Sequence, residues 1–350
     1  MQGIEKVKAN TTGYQKQEGI WDRIDNAFLT LSWDELVDEI QGFGEVSAKK
    51  LEKKYGSPLT LAFMPSHEVT DLSPDVVAKI RKYLFDKFIA SQFITANELR
   101  KRTLPRLSLQ VPSLDDLLDI RPGDLILLYG PPSVGKTQFC HHASASVMLP
   151  LESGGYEGVT LYIDTEGTFD LDRVQTIYES LAERGTKKVF DTATVYKFTL
   201  RDPNDFVNFV YFDLPRLFAS AVNDKTPIRL IIVDSFIAPF REKFSGRGTL
   251  APRQQMMAQV LGFLKDIALL LQVPVILTTQ IVARPVPYGK QYAAAGGNTL
   301  LHNVTKIVEL DFVKEEVRRA FLVKGGKPRY AYFVVSDGGI EEAKQSVILK

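Results

Sequence analysis

Lys136 and Thr137 stand directly behind the segment Gly130-Pro131-Pro132-Ser133-Val134-Gly135. That spacing is the phosphate-binding loop G-x-x-x-x-G-K-[ST]: backbone N–H groups curl around an anion, the lysine reaches the outer phosphates, and the hydroxyl reaches Mg²⁺. Gln138 opens the helical pattern that follows, so a helix N-terminus adds its partial positive charge. Three further residues suit the same chemistry. Asp234 ends the apolar run Leu230-Ile231-Ile232-Val233 and is placed to hold Mg²⁺ through its water shell, with Thr137 as the second metal residue. Glu166 follows the run Val159 to Asp164 and could deprotonate a water attacking the terminal phosphate. Gln280 closes the run Val273 to Thr279. Its uncharged amide can sense that phosphate and pass its loss to the long loop 281–304.

These side chains need a scaffold that brings strand ends together. Leu125 to Gly130 reads as a buried strand entering the loop, and Gln138 to Met148 as the helix leaving it. Apolar runs recur at Val159–Ile163, Thr194–Phe198, Leu230–Val233, Val273–Leu277 and Ile307–Leu310, with helical patterns at Pro203–Val222 and Gln254–Leu271 between them. Alternation of this kind predicts an α/β core with a central, mostly parallel sheet covered by helices. Phe321–Val323 and Tyr330–Val335 around Gly325-Gly326 predict an antiparallel hairpin at its edge. Ahead of the core, Ser32 and Glu35 have capping-box spacing, and Ser47 is expected to cap a second helix after Gly42-Phe43-Gly44. A third helix is predicted over Pro74–Phe88, capped by Ser73.

The chain has 350 residues, 45% apolar and 24% charged, with a net charge of +1. This composition suits a soluble multidomain protein, and any polyanion partner must be met by local basic patches. The single cysteine, Cys140, rules out a disulfide scaffold and a cysteine-based zinc site; it is expected in the core. No apolar run suggests a leader or a membrane span, so an intracellular, DNA-associated location is expected, cytoplasmic in a prokaryote.

Taken together the motifs resemble the RecA-family strand-exchange recombinases of the archaeal RadA and eukaryotic type. The resemblance covers about residues 32 to 343. It rests on the phosphate loop with Lys136-Thr137-Gln138-Phe139-Cys140-His141, on Asp164 to Phe169, on Arg253-Gln254-Gln255, on Ala283-Arg284-Pro285 and on Gly296-Gly297-Asn298-Thr299-Leu300. It implies a RecA-like ATPase core over 107–343 and a helix-hairpin-helix domain over 32–89. A linker spans 90–106, and tails are expected at 1–31 and 344–350. It implies ATP and Mg²⁺ as cofactors, single- and double-stranded DNA as partners, and a homo-oligomer, filament or ring. Phe93 and Ala96 match the F-x-x-A segment that docks on a neighbouring subunit. The first DNA loop corresponds to Phe240–Arg253, with Arg241, Lys243, Arg247 and Arg253. The second corresponds to 281–304, with Arg284, Lys290, Gly296 and Gly297. Basic, glycine-rich loops with nearby aromatics suit a single strand held by phosphate contacts and stacking.

Three departures from the family pattern stand out. Asp170 replaces the arginine that lies against the adenine, which leaves Arg173 as the expected substitute. Asp119-Ile120-Arg121-Pro122-Gly123 replaces a glycine pair before the phosphate loop. Val323-Lys324-Gly325-Gly326-Lys327-Pro328 stands where the family has an acidic cap over the neighbour's ATP; two readings stay open for Lys324 and Lys327, solvated residues at a hairpin turn or a contact to a γ-phosphate across the interface. A recombinase paralogue that binds ATP and DNA and assists a principal recombinase is the alternative reading. A regulatory nucleotide-binding module and a small-molecule phosphotransferase are further ones.

Overall fold

The computed structural model describes residues 31–64, 69–88, 106–183, 195–223, 227–244, 248–283 and 292–344. Four helices come first: α1 (Trp33–Glu39), α2 (Glu45–Tyr55), α3 (Leu59–Phe63) and α4 (Pro74–Phe88). The Ser32 hydroxyl accepts from the Glu35 N–H at 3.1 Å, the first half of the capping box. Ser47 does not cap α2. The helix begins earlier, with Gly44 at its N-cap, and Ser47 lies in its first turn. Ser73 does accept from the Val76 N–H ahead of α4.

The core follows as α5 (Pro112–Leu118), β1 (Leu125–Gly130), α6 (Lys136–Val147), β2 (Val159–Asp164), α7 (Leu171–Glu183), β3 (Val195–Thr199), α8 (Pro203–Asn208), α9 (Leu214–Asn223) and β4 (Ile228–Asp234). Then come α10 (Ala238–Lys243), α11 (Leu250–Leu270), β5 (Val275–Ala283), β6 (Tyr292–Ala294), α12 (Gly297–Asn303), β7 (Lys306–Phe312), β8 (Arg318–Lys324), β9 (Tyr330–Ser336) and β10 (Gly339–Glu342). The strands form one sheet in the order β10-β9-β8-β7-β1-β5-β4-β2-β3, with β6 paired to β5. Pairing is parallel from β7 through β1, β5, β4 and β2 to β3 and antiparallel from β7 out to β10. The sheet is therefore mostly parallel across its centre, with an antiparallel flank.

β1, β2 and β4 are buried along their whole length, as a sheet covered on both faces requires. One face packs Leu125, Leu127, Ile231, Val233 and Leu277 into a core shared with α8, α9 and α11. The other packs Ile126, Leu128 and Ile232 against α5, α6 and α7, with Cys140 buried there. The expected single helix over 203–222 is broken by a π-helical turn at Phe209–Asp213. That turn sets Phe212 in a stack on Tyr55, ring centroids 5.9 Å apart. One turn on, Arg216 donates to the Tyr55 and Lys54 carbonyls at 2.8 and 2.7 Å, capping the C-terminus of α2. A Cβ on Gly56 would lie 2.1 Å from the Arg216 side chain, so glycine admits the approach. The first four helices thus share one apolar core with the sheet.

Candidate active site

In an open parallel sheet, ligands bind beyond the carboxyl ends of the strands. Here the register brings Gly130 opposite Gln280 and Asp164 opposite Asp234, so the ends of β1, β2 and β4 meet Gln280 at one edge; β5, expected to close there, runs on to Ala283 and pairs with β6. From Gly130 the chain turns through Pro131, Pro132, Ser133 and Val134 to Gly135, with Val134 packed in the core. Ser133 and Gly135 are both left-handed, with φ of 62° and 107°. Left-handed residues in such a loop turn successive N–H groups toward one side, an arrangement that holds an anion. The Lys136 ammonium donates to the Gly130 and Pro131 carbonyls at 3.0 and 2.8 Å, bent over its own loop. Burial pushes its pKa down, while Asp234 and Glu166 oppose that shift. Its charge is therefore held in a half-buried pocket facing acids, as a phosphate-binding lysine requires.

Asp234 is held by three hydroxyl groups. One oxygen accepts from the Thr137 hydroxyl at 2.8 Å and from the Tyr162 hydroxyl at 3.0 Å, and the other accepts from Thr278. The Thr137–Asp234 contact is the pair that would hold Mg²⁺ beside a bound triphosphate. Hydroxyl and carboxylate oxygens are the hard donors that ion takes. No cluster of three or more His, Cys, Asp or Glu suited to a metal occurs among the described residues, so the phosphates themselves must complete such a site.

Asp164, fully buried at the end of β2, builds the turn that carries Glu166. Its carboxylate accepts from the Gly167, Thr168 and Phe169 N–H groups at 2.7, 3.1 and 3.1 Å and pairs with Lys197 at 3.4 Å. Burial pushes its pKa up, but the three N–H donors and Lys197 outweigh that and hold it below the usual carboxylate range. Glu166 stands exposed on this turn, where Gln280 donates to its Oε1 at 3.4 Å. Behind the turn, Phe169 packs on Tyr162 and His141, and Lys197 lies over the Phe169 ring. Sequence reasoning missed Asp164, Tyr162 and Thr278. Thr278, a hydroxyl inside an apolar run, and Asp164, a carboxylate closing one, carried visible signals.

The other expected site residues are distributed as follows. Arg173 donates to the Gln138 side chain at 2.8 Å and to the carbonyls of Ser336 and Asp337, joining α6 to the β9–β10 turn. Arg241 donates to Gln280 Oε1 at 3.2 Å. Lys243 is paired with Asp202 at 2.8 Å. Arg253 lies half-buried near Arg241, and burial, followed by that like charge, pushes its pKa down. Gly296 caps α12, whose first residue is Gly297; this helix occupies part of the segment expected to be a loop. Lys324 makes its hydrogen bonds within its own chain. Its ammonium donates to the Leu301, His302 and Val304 carbonyls and caps the C-terminus of α12 within the same chain. Lys327 is exposed. Arg247, Arg284, Lys290, Phe93 and Ala96 lie outside the described residues.

With this geometry in hand, two comparisons decide the family. The Rad51 family model matches residues 100–343. The chain is also similar to the DNA repair and recombination protein RadA of Aeropyrum pernix, strain K1. Identity is 32% over 274 residues, covering 76% of this chain and 83% of that relative. The chain belongs to the Rad51 family. Its matched region takes in the phosphate loop, Asp164, Glu166, Asp234, Gln280 and the whole sheet, whereas α1 to α4 precede it. No helix among the described residues is long and apolar enough to cross a membrane.

Proposed function

We propose that this Rad51-family chain is a DNA-dependent ATPase and recombinase. It assembles on single-stranded DNA inside the cell and promotes homologous pairing and strand exchange in DNA repair. The observation that carries this reading is the convergence at one sheet edge of the phosphate loop, the Thr137–Asp234 pair, Glu166 and Gln280.

In the proposed reaction ATP lies in the 130–137 loop, with Lys136 turning from the loop carbonyls to its phosphates. Thr137 and Asp234 would hold Mg²⁺, which would supply charge neutralisation when bound. Glu166 takes the proton from the attacking water, and Gln280 reads the γ-phosphate. The DNA-contacting side chains are Arg241, Lys243, Arg247, Arg253, Arg284 and Lys290, with Gly296 and Gly297 allowing close approach. The helix-hairpin-helix reading of residues 32–89 belongs to the same proposal, as does self-assembly through Phe93 and Ala96.

One observation favours a second reading, a paralogue assisting a principal recombinase. Lys324, in the segment standing where the family has its acidic cap, is tied to α12 of its own chain. ATP turnover with and without single-stranded DNA, alongside joint-molecule formation, separates the two. The recombinase reading predicts stimulated turnover and joint molecules. Nucleotide binding without either outcome would favour the assisting role.

A further inference from the structure

Arg241 occupies a position that neither DNA contact nor catalysis explains by itself. It sits exposed on α10, a few residues beyond Asp234, and its Nη1 donates to Gln280 Oε1 at 3.2 Å. The Gln280 Nε2 in turn donates to Glu166 Oε1 at 3.4 Å. This orientation of the amide is dictated by its neighbours. Turned over, it would set NH₂ against a guanidinium and a carbonyl oxygen against a carboxylate, losing both contacts.

Among the described residues Arg241 has no carboxylate partner, unlike Lys243 with its Asp202. Its charged neighbour is Arg253, whose Nε is buried without a hydrogen-bond partner and whose pKa Arg241 helps to lower. Two guanidinium groups with only a neutral amide oxygen between Arg241 and Glu166 form a site that a phosphate diester would neutralise far better than Gln280 does.

We propose that Arg241 is a positioning residue: without DNA it holds the Gln280 amide against Glu166, and a DNA phosphate that takes Arg241 releases both. This rests on the reading of Glu166 as the water-activating base and of the Arg241–Arg253 region as a DNA contact. While locked, Glu166 Oε1 spends acceptor capacity on an amide, and the amide spends its donor on Glu166. Once a phosphate has taken the guanidinium, the amide is free to swing to the γ-phosphate and Glu166 is free to receive a proton from water. DNA stimulation of hydrolysis is then partly relief of a lock internal to one subunit.

The test uses the full chain, ATP and a single-stranded oligothymidylate. Arg241→Ala should raise turnover in the absence of DNA by about three- to tenfold, the effect of removing one hydrogen bond of ordinary net strength. The ratio of DNA-stimulated to unstimulated rate should shrink accordingly. A second measurement needs no nucleotide. Because Gln280 and DNA compete for the same guanidinium, Gln280→Ala should tighten oligothymidylate binding by a similar factor.

An Arg241→Ala variant whose unstimulated rate is unchanged or lower overturns the lock, even if its DNA affinity falls as a simple contact residue requires. Unchanged or weaker DNA binding by Gln280→Ala overturns it equally, and stands if Arg241→Ala fails to fold. A parental chain that hydrolyses no ATP with or without DNA refutes the underlying ATPase reading, a result distinct from failure of the lock alone.

Discussion

Replacing Asp164 with asparagine tests whether the turn that presents Glu166 is built by a buried carboxylate. In the parent, one oxygen receives the Gly167 and Thr168 N–H groups and the other receives Phe169, with Lys197 at 3.4 Å. An asparagine keeps one carbonyl oxygen for the first two donors, now without charge. Its NH₂ faces the Phe169 N–H, which loses its acceptor. Hydrogen bonds to a charged acceptor contribute about 1.5 to 3 kcal/mol each and neutral ones about 1 kcal/mol. Two weakened bonds and one lost bond therefore cost about 2.5 to 7 kcal/mol. At a few degrees per kcal/mol for a core of this size, the melting temperature should fall by at least about 5 °C. Displacing Glu166 by about 1 Å should also reduce turnover by about 10²-fold. Nucleotide affinity should change little, because the hydrogen bonds of Lys136 and Thr137 run to Gly130, Pro131 and Asp234. Thermal melts, steady-state ATPase and nucleotide titration read the three effects. A variant that melts and hydrolyses like the parent would refute the reasoning.

Two other predictions concern the helices that precede the sheet. Arg216→Ala removes both bonds to the α2 carbonyls, and Gly56 then borders a void; limited proteolysis should release residues 31–88 faster, while ATP binding is retained. Asp71 is held at about 2 by Lys54 first, against burial, with Tyr55 and Lys50 adding to the effect. A carboxyl depressed in the folded state stabilises above its unfolded pKa and loses that contribution as pH falls through the folded value. Stability should therefore drop between about pH 4 and pH 2, and Asp71→Asn should flatten that part of the denaturation profile.

The parts of the site legible in the sequence were those whose chemistry is local. An apolar strand, spaced glycines and a lysine-threonine pair dictate the phosphate loop whatever surrounds them, and β1 and α6 lie there. Asp234 could be read as a strand end because a carboxylate closing a buried run has few structural excuses, whereas Gln280 closes only the buried part of β5, which runs on to Ala283. Asp164 closes a buried run as Asp234 does, but its role was not legible: it depends on three N–H groups in a turn whose geometry the sequence does not display. The contacts of Lys324 were not legible for a related reason. Basic residues beside two glycines look like a solvated turn or a trans contact, whereas the β7–β8 pairing brings this lysine onto carbonyls at the end of α12. Apolar periodicity carried straight through 203–222. Only the π-turn, which offsets Phe212 and Arg216 toward α2, explains how the first helices join the core.

The account's central claim is that Glu166 activates the water that attacks a triphosphate held by Lys136, Thr137 and Asp234. Glu166→Gln removes the proton acceptor and leaves a side chain of the same shape, so the variant should bind ATP and single-stranded DNA as the parent does. Its DNA-stimulated turnover, measured at saturating ATP, should fall by about 10² to 10⁴-fold, the usual loss for a general base. Turnover within a factor of about two of the parent's, far inside that range, would contradict the assignment and send the search for the base to another strand end.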